Sequence, residues 1–297
     1  MRAFFYISYI FIYLCNNRKT INLYYQSISN NEKDSCIPLF TDLCPGAACR
    51  TECHLEADSR RGIQAENIYG IKPMLDGEHY TQISADRKRI VKYSFKTGKE
   101  VGTLFDVTTA RDYSLKSFDD YIMSPDEKQI LIQTKTKPIY RRSFTAEYYI
   151  FNVKNNRLTP LSENGPQQVP QFSPDGFQIA FVRNNNIFLV KLLFGNSESQ
   201  VTKDGEYNKV LNGIPDWVYE EEFGFNCAFD FSADSKMLAY IRFDESEVPM
   251  FRFPWYKGMA PERSEYQTYP GFYEYKYPKA GEVNSKVSVH TFDIRPA

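Results

Sequence analysis

The 297-residue chain lacks an excess of either charge. Its 36 lysines and arginines are balanced by 37 aspartates and glutamates, which leaves a net charge of −1. A protein that binds nucleic acid through a basic face needs a cationic excess, so the composition argues against a nucleic-acid partner. Tryptophan is scarce, at 2 residues, but 22 tyrosines and 23 phenylalanines are present, and this aromatic content favours strands over helices. These features predict a globular, mostly β protein.

The sequence also lacks the residues that a serine hydrolase needs. No Gly-x-Ser-x-Gly nucleophile elbow occurs in the 297 residues. The three histidines are His54, His79 and His290, and none has a serine and an aspartate in a recognisable triad context. We therefore predict no catalytic residue in this chain and no acyl transfer by the chain alone.

Cysteine is nearly absent from the body of the chain. Five of the six cysteines lie in the first 53 residues, and only Cys227 lies beyond them. The dense stretch CPGAACRTECH, 44–54, fits no usual zinc spacing, so a loose or disulfide-bonded leader is favoured over a metal site. We predict no metal and no cofactor, and we expect Cys227 to be a small buried apolar residue.

Two segments precede the part of the chain that is predicted to fold. Residues 1–15 contain Arg2 and a 13-residue apolar run from Ala3 to Cys15, which suits the core of a secretory signal and is short for a membrane span. No small-x-small cleavage site follows this run. Residues 16–66 show no clean periodicity and are left unassigned, and residues 67–297 carry the strand patterns.

Four related turn signals, ISAD, MSPD, FSPD and FSAD, recur in the body of the chain and are spaced 40, 49 and 59 residues apart. Their serines are Ser84, Ser124, Ser173 and Ser232. Each signal precedes an apolar or alternating run, and two of these runs pass through tight turns, at 96–98 and 183–186, into a second strand. Such a period is typical of β-propeller blades, with a β-sandwich as the alternative. We predict an all-β, partial propeller of about four four-stranded blades.

The stretch DWVYEEEFGF, 216–225, places Glu220, Glu221 and Glu222 together among aromatic residues. Neighbouring carboxylates repel each other, and burial would strengthen that repulsion. The run is therefore either a solvated helical face or a site for a cation. Asp216 stands where it can cap a short helix that carries the three glutamates.

Longer stretches of the chain resemble the dipeptidyl peptidase IV family, which belongs to the prolyl oligopeptidase group of serine peptidases. NGIPDWVYEEEF is followed by FSADSKMLAYIRFDESEVPMF and by YKYPKAGEVNSKVSVHTFDI, and the similarity extends back through NGPQQVPQFSPDG and PIYRRSFTAEYYIF. The resemblance covers roughly residues 67–294 and is strongest to bacterial members. WVYEEE with a downstream YPKAG is its most specific part.

The resemblance implies an N-terminal eight-bladed propeller and a C-terminal α/β-hydrolase domain with a Ser-Asp-His triad, of which only the first part of the propeller is recognised here. Family members release dipeptides from a free N-terminus and prefer Pro or Ala second. The motif match assigns the substrate's α-ammonium to Glu221 and Glu222, and a substrate carbonyl to Arg141 in YRRSFTAEY. The alternative for Arg141 and Arg142 is a surface strand with two solvated cations.

The resemblance further implies export, to the periplasm or the cell surface, and a homodimer formed through an arm at residues 243–281. An internal blade hairpin is the alternative for that segment. The expected partners are peptides with a free N-terminus and Pro or Ala second. Two other functions remain open, namely a non-catalytic propeller that binds peptides or proteins and the product of a broken gene.

Overall fold

The chain forms a series of antiparallel sheets, which a computed structural model describes over residues 70–256 and 269–294. The chain divides into two units after Ala65, and every described residue belongs to the second unit. The signal-like segment, the unassigned leader up to residue 66, His54 and five of the cysteines lie outside the described residues. In the described ranges no helix is long and apolar enough to cross a membrane.

The first three sheets have four strands each, and neighbouring strands in each sheet follow one another along the chain. The first sheet contains β1 Lys72–Pro73, β2 His79–Ile83, β3 Arg89–Ser94 and β4 Glu100–Asp106. The second contains β5 Asp120–Met123, β6 Gln129–Pro138, β7 Phe144–Asn152 and β8 Arg157–Pro160. The third contains β9 Gln168–Phe172, β10 Gln178–Arg183, β11 Asn186–Lys191 and β12 Ser197–Gln200, with a 3-10 turn at Leu192–Phe194. Each sheet is a meander, the topology of a propeller blade.

The fourth sheet is interrupted twice. Its central strand is β15, Met237–Asp244, which pairs with β18, Lys286–Asp293, along its whole length. Two short strands share the other edge of β15, namely β13 Val210–Asn212 and β14 Phe229–Phe231. Helix α1, Trp217–Phe223, separates β13 from β14, and the hairpin of β16 Met250–Trp255 and β17 Gly271–Lys276 separates β15 from β18. This sheet therefore departs from the predicted four-stranded blade, since its described strands fill three positions.

The four serines occupy equivalent turns, which confirms the predicted repeat. Each serine Oγ accepts from the backbone N–H five residues later, at 2.9–3.0 Å, and donates to the aspartate two residues later, at 2.5–2.7 Å. The third residue after each serine has a positive φ, between 54° and 75°. The turns join β2 to β3, β5 to β6, β9 to β10 and β14 to β15. In the second and third sheets the serine turn joins the first strand to the second, but in the first sheet it joins the second strand, β2, to the third, β3. The first sheet therefore has an extra short strand, β1, before the repeat begins, and no described strand follows β4 in that sheet.

Apolar side chains on opposite faces of the second strand in each repeat join neighbouring sheets. On β6, Ile130 and Ile132 pack with the first sheet, whereas Leu131 packs with the third. On β10, Phe181 packs towards the second sheet and Val182 towards the fourth. Side chains alternate across a strand, so a strand that is buried on both faces must be apolar throughout. This requirement explains the continuous apolar runs that follow the serine turns.

Both predicted hairpin turns are confirmed. Gly98 has φ 64° between β3 and β4, and Asn184 and Asn185, with φ 48° and 60°, form the two-residue turn between β10 and β11. Consecutive positive φ values match the right-handed twist of the flanking strands. Cys227 is less buried than predicted: it is half-buried against the core between the third and fourth sheets, where burial raises the pKa of its thiol to about 11.

Candidate functional site

Helix α1 is a short helix whose two ends are defined by its sequence. The buried carboxylate of Asp216 accepts the N–H of Tyr219 at 2.9 Å, so the predicted N-cap is confirmed. The other oxygen of Asp216 accepts from the Ser285 hydroxyl, which ties the helix to the chain before β18. Gly224 ends the helix with φ 73°, a conformation that glycine adopts without strain, and its N–H donates to the Glu220 carbonyl.

The first of the three glutamates, Glu220, lies inside the protein. Its side chain is 1% exposed, and Oε1 accepts the backbone N–H groups of Arg142 and Ser143 at 2.7 and 3.0 Å. Its Oε2 is buried without a hydrogen-bond partner in the described structure. Glu220 thus joins α1 to the turn between β6 and β7, and the interpretation of the three glutamates as a solvated face is wrong for this residue.

Glu221 and Arg141, two of the three predicted site residues, contact each other directly. Glu221 accepts from Arg141 through both oxygens, with N–O distances of 2.7 and 3.0 Å. The Arg141 side chain is 70% exposed and that of Glu221 is 27% exposed, so the pair faces solvent. Glu222, the third predicted residue, is exposed next to this pair and makes no hydrogen bond or ion pair to any described residue. The site therefore has one free carboxylate beside a bidentate ion pair.

Arg142 has a different position from Arg141. Its guanidinium lies against the end of α1, where an added Cβ on Gly224 would be 3.4 Å from a guanidinium nitrogen. A cation at a helix C-terminus is favourable because the last carbonyls carry partial negative charge. The Arg142 carbonyl accepts from the Asn226 side chain at 3.1 Å, which fixes the turn a second time. The structure thus distinguishes the two arginines: the Arg141 guanidinium pairs with the Glu221 carboxylate, whereas that of Arg142 contacts the backbone carbonyl of Glu220.

Aromatic residues hold α1 in place from two sides. The ring of Trp217 lies 4.4 Å from that of Tyr277, which follows β17. The ring of Tyr219 lies 5.0 Å from that of Phe243 on β15 in an edge-to-face arrangement. Aromatic pairs prefer offset-stacked or edge-to-face arrangements of their rings, so these contacts restrict the orientation of the helix. The helix therefore holds its carboxylates in a fixed orientation relative to the sheet.

The described histidines do not form a catalytic triad. His79 Nδ1 contacts Asp76 at 2.7 Å, and this hydrogen bond contributes most to holding the pKa of Asp76 well below its usual range. His290 contacts the Ser288 hydroxyl at 2.8 Å on the exposed face of β18, but no described carboxylate bonds to this histidine. Across residues 70–256 and 269–294, no group of three or more His, Cys, Asp or Glu side chains converges as metal ligands would.

The sequence reasoning missed the structural role of Glu220. It grouped the three glutamates by their spacing and placed Glu220 outside the binding pair, without identifying what that residue contacts. A signal was available, because the 3.6-residue helical period puts positions 220 and 217 on one face. Trp217 must pack on the protein, so the same face was the one to be buried.

Comparisons with known proteins relate this chain to dipeptidyl peptidases. The family described as "Dipeptidyl peptidase IV (DPP IV) N-terminal region" matches residues 124–297. A probable dipeptidyl-aminopeptidase B of Arthroderma benhamiae is 38% identical over 179 residues, which cover 58% of this chain and 19% of the relative. Prolyl endopeptidase FAP of Homo sapiens is 33% identical over 221 residues, which cover 74% of this chain and 27% of the relative.

A solved structure supports the same relationship. The crystal structure of Porphyromonas gingivalis dipeptidyl peptidase 4 superposes with a TM-score of 0.69 at 47% sequence identity, covering 76% of this chain and 31% of that chain. The matched part of this chain therefore covers only 19% to 31% of the length of the relatives named here. The family match over residues 124–297 includes α1 and the turn between β6 and β7.

Proposed function

Because the chain belongs to the dipeptidyl peptidase IV N-terminal family, we propose that it is the substrate-selecting propeller portion of a serine exopeptidase. In this proposal the enzyme releases X-Pro or X-Ala dipeptides from peptides with a free N-terminus. The present chain contributes recognition of the substrate. The nucleophile, the general base and the oxyanion hole come from a catalytic domain outside these 297 residues.

The arrangement of Glu221, Glu222 and Arg141 is the observation that carries the proposal. A peptide's α-ammonium offers three N–H donors, and carboxylates accept them in short, charge-assisted hydrogen bonds. Glu222 has both oxygens available for such a cation. Two opposite charges about 4 Å apart attract by roughly 4 kcal/mol at an effective dielectric of 20, before desolvation is subtracted. This attraction is large enough to select a charged terminus over a blocked one.

Arg141 has a second role in the proposal. Its planar guanidinium carries five N–H donors, and Glu221 engages only part of them. The Arg141 side chain is 70% exposed, so its remaining donors are available to a backbone carbonyl of the bound peptide. The ion pair also neutralises Arg141, so the ammonium is not repelled when it approaches Glu222.

With the 297-residue chain alone, binding of the peptide's N-terminus can be measured separately from peptide hydrolysis. We expect the 297-residue protein to bind Ala-Pro-p-nitroanilide at least about tenfold more tightly than its N-acetylated form, since one charge-assisted contact contributes about 1.5 kcal/mol or more. We also expect no release of p-nitroaniline, because no nucleophile elbow is present. Calorimetry measures the first result and absorbance the second. Equal affinity for both peptides would contradict the anchoring role, and clear turnover would show that a catalytic site was overlooked.

We also propose that the family's arm, residues 243–281, forms a homodimer. β16 and β17 pair only with each other among the described strands, so they form a separate ribbon and not part of the blade. One face of this ribbon packs on the site, with the rings of Tyr275 and Tyr140 5.4 Å apart. The other face exposes Met250 and Phe272, at 43% and 49%, beside the ion pair of Arg252 with Glu274. A surface of this kind suits a protein partner.

A charged residue on the exposed face of the ribbon should weaken the dimer. We expect Met250→Glu to raise the dimer dissociation constant at least about tenfold, because the buried carboxylate would lose its hydration. Leu75→Glu is the matched control, since Leu75 is 73% exposed in the turn between β1 and β2. Sedimentation equilibrium measures both variants. A monomeric parent protein, or an equal effect of the two substitutions, would argue against this interface.

We extend the proposal to the location of the protein, which we place in the periplasm or at the cell surface. The support is the resemblance to a family of exported enzymes and the apolar run from Ala3 to Cys15.

A further inference from the structure

A cavity of about 490 Å³ lies beside the candidate site, between the second, third and fourth sheets. Its walls come from the turn between β6 and β7, the turn between β10 and β11, the chain before β13 and the residue that follows β15. Much of the lining is apolar or aromatic, including Ile139, Tyr140, Leu211, Ile214 and Pro215. A volume in this range is typical of sites for small ligands.

Two buried polar side chains line this cavity without a partner. Glu245 is 6% exposed and Gln168 is 8% exposed. Neither side chain makes a hydrogen bond or an ion pair to another described residue, and the polar atoms of both remain accessible from the cavity. Buried carboxyl and amide groups are normally hydrogen-bonded, and each that is not calls for a ligand, an ion or a water. Two such groups in one cavity offer hydrogen-bond acceptors to a polar ligand.

The charges around Glu245 leave its carboxylate uncompensated. Lys276, on β17, attracts it, but the Lys276 ammonium donates to the carbonyls of Ser246 and Val248 at 3.2 and 2.7 Å. Asp216 repels it from the N-cap of α1. Burial, with the Asp216 charge adding to it, raises the pKa of Glu245 to about 7. A cation in the cavity would relieve both effects, because it supplies the missing opposite charge.

The other carboxylate that lines the cavity is already paired. Glu206 accepts from Lys209 at 2.5 Å. Two aromatic residues complete the surroundings: Tyr140 is half-buried in the wall, and Tyr207, 74% exposed, lies at the solvent side. Aromatic faces attract cations, and their bodies pack against aliphatic chains.

We propose that this cavity binds an organic cation, an alkylammonium or guanidinium group on an apolar stem, with Glu245 as the counter-charge and the Gln168 amide oxygen as a second acceptor. The apolar walls accept the stem, and the two unpartnered acceptors receive the N–H donors. Lysine and arginine side chains have this chemistry, and so do free alkylamines. The site is separate from the proposed terminus anchor, because it uses neither Glu221 nor Glu222.

The test compares N-acetyl-lysine amide with N-acetyl-norleucine amide on the full 297-residue chain at pH 8. Both probes lack an α-ammonium, so the terminus anchor cannot distinguish them. We expect calorimetry to show at least about tenfold tighter binding of the lysine probe, and Glu245→Gln to abolish that difference. Glu247→Gln is the matched control, because it removes the same charge two residues away at an exposed position paired with Lys286. n-Pentylamine distinguishes a free alkylamine from a peptide side chain as the ligand. If n-pentylamine binds as tightly as the lysine probe, the site is assigned to free amines. If n-pentylamine binds more weakly than the lysine probe, the site is assigned to a peptide side chain.

A pH series on the unmodified chain provides a second measurement that needs no variant. The probe ammonium stays charged between pH 6 and pH 8, since its ordinary pKa is about 10.4. Glu245 gains a proton over that range, so the affinity for the lysine probe should fall about tenfold from pH 8 to pH 6. The other titratable groups around Glu245 and the cavity are Tyr140, Glu206, Tyr207, Asp216, Glu220, Tyr273 and Lys276.

Three results would overturn the proposal. They are equal binding of the lysine and norleucine probes, a flat pH profile, and a preference for lysine that survives Glu245→Gln. If Glu221→Gln abolishes the preference while Glu245→Gln does not, the probe binds at α1 and the cavity is not a cation site.

Discussion

Replacing Glu221 or Glu222 by glutamine is expected to lower kcat/KM for a peptide with a free N-terminus by one to two orders of magnitude. The enzyme for this test is Porphyromonas gingivalis dipeptidyl peptidase 4 in which the segment described here replaces its 47%-identical counterpart. Glutamine keeps the shape of the side chain and removes the charge. A charge-assisted hydrogen bond contributes about 1.5–3 kcal/mol, and each 1.36 kcal/mol is a factor of ten in rate.

The two substitutions should differ in size for a reason visible in the structure. Glu221→Gln also removes the charge that Arg141 pairs with, so an uncompensated guanidinium would then stand beside the incoming ammonium. Glu222→Gln leaves that ion pair intact. We therefore expect the larger loss from Glu221→Gln.

An N-acetylated substrate is the control for both variants. It carries no ammonium, so the parent enzyme should cleave it poorly and neither glutamine variant should reduce its rate further. Arg141→Ala should instead lower the rates of both substrates, because it removes a carbonyl contact that does not depend on the terminal charge. If both glutamine variants keep the parent's preference for a free N-terminus, the two carboxylates do not anchor the substrate.

The second large effect concerns Glu220, which we expect to act as a positioning residue. Glu220→Ala should release the turn that carries Arg141, because the N–H groups of Arg142 and Ser143 lose their acceptor inside the protein. Losing a hydrogen bond to a charged group costs about 1.5–3 kcal/mol, so local opening of the turn should increase about 10- to 100-fold. In the hybrid enzyme kcat/KM should fall at least about tenfold.

Glu220→Gln should preserve the hydrogen bonds to the turn, and most of the activity, that Glu220→Ala removes. Oε1 accepts both backbone N–H groups and Oε2 has no described partner, so a glutamine with its carbonyl oxygen at the Oε1 position keeps both hydrogen bonds. We expect a loss in kcat/KM of no more than about threefold for this variant.

The rate of limited trypsin digestion measures opening of the turn between β6 and β7 independently of enzymatic activity. Arg141 and Arg142 are both trypsin sites, so faster cleavage there reports opening of the turn. Glu220→Ala should accelerate this cleavage, whereas Glu220→Gln and the exposed control Glu222→Ala should not. Unchanged cleavage in Glu220→Ala would show that the turn is held by other contacts, such as that of Asn226 with the Arg142 carbonyl.

Much of the fold is determined by the sequence alone, because its signals act over a few residues. Each Ser-x-Asp turn closes through hydrogen bonds between residues at most five apart, so Ser84 and Ser232 define the same turn wherever they occur. The Asp216 cap and the Asn184–Asn185 turn are local in the same way. The family resemblance adds the assignment of Glu221, Glu222 and Arg141 to substrate binding. The sequence does not show which of these side chains contact one another.

The helical period could assign Glu220 to the buried face of α1, but only the tertiary structure decided what each of the three adjacent glutamates contacts. Glu220, Glu221 and Glu222 are chemically identical and consecutive, yet one is buried, one is paired and one is free. The difference arises because the second sheet's turn, some 80 residues earlier in the chain, meets α1 on one side only. The cavity at Glu245 is a similar case, since its walls come from three sheets. Contacts between distant segments depend on how whole sheets pack, and no local pattern in the chain encodes that packing.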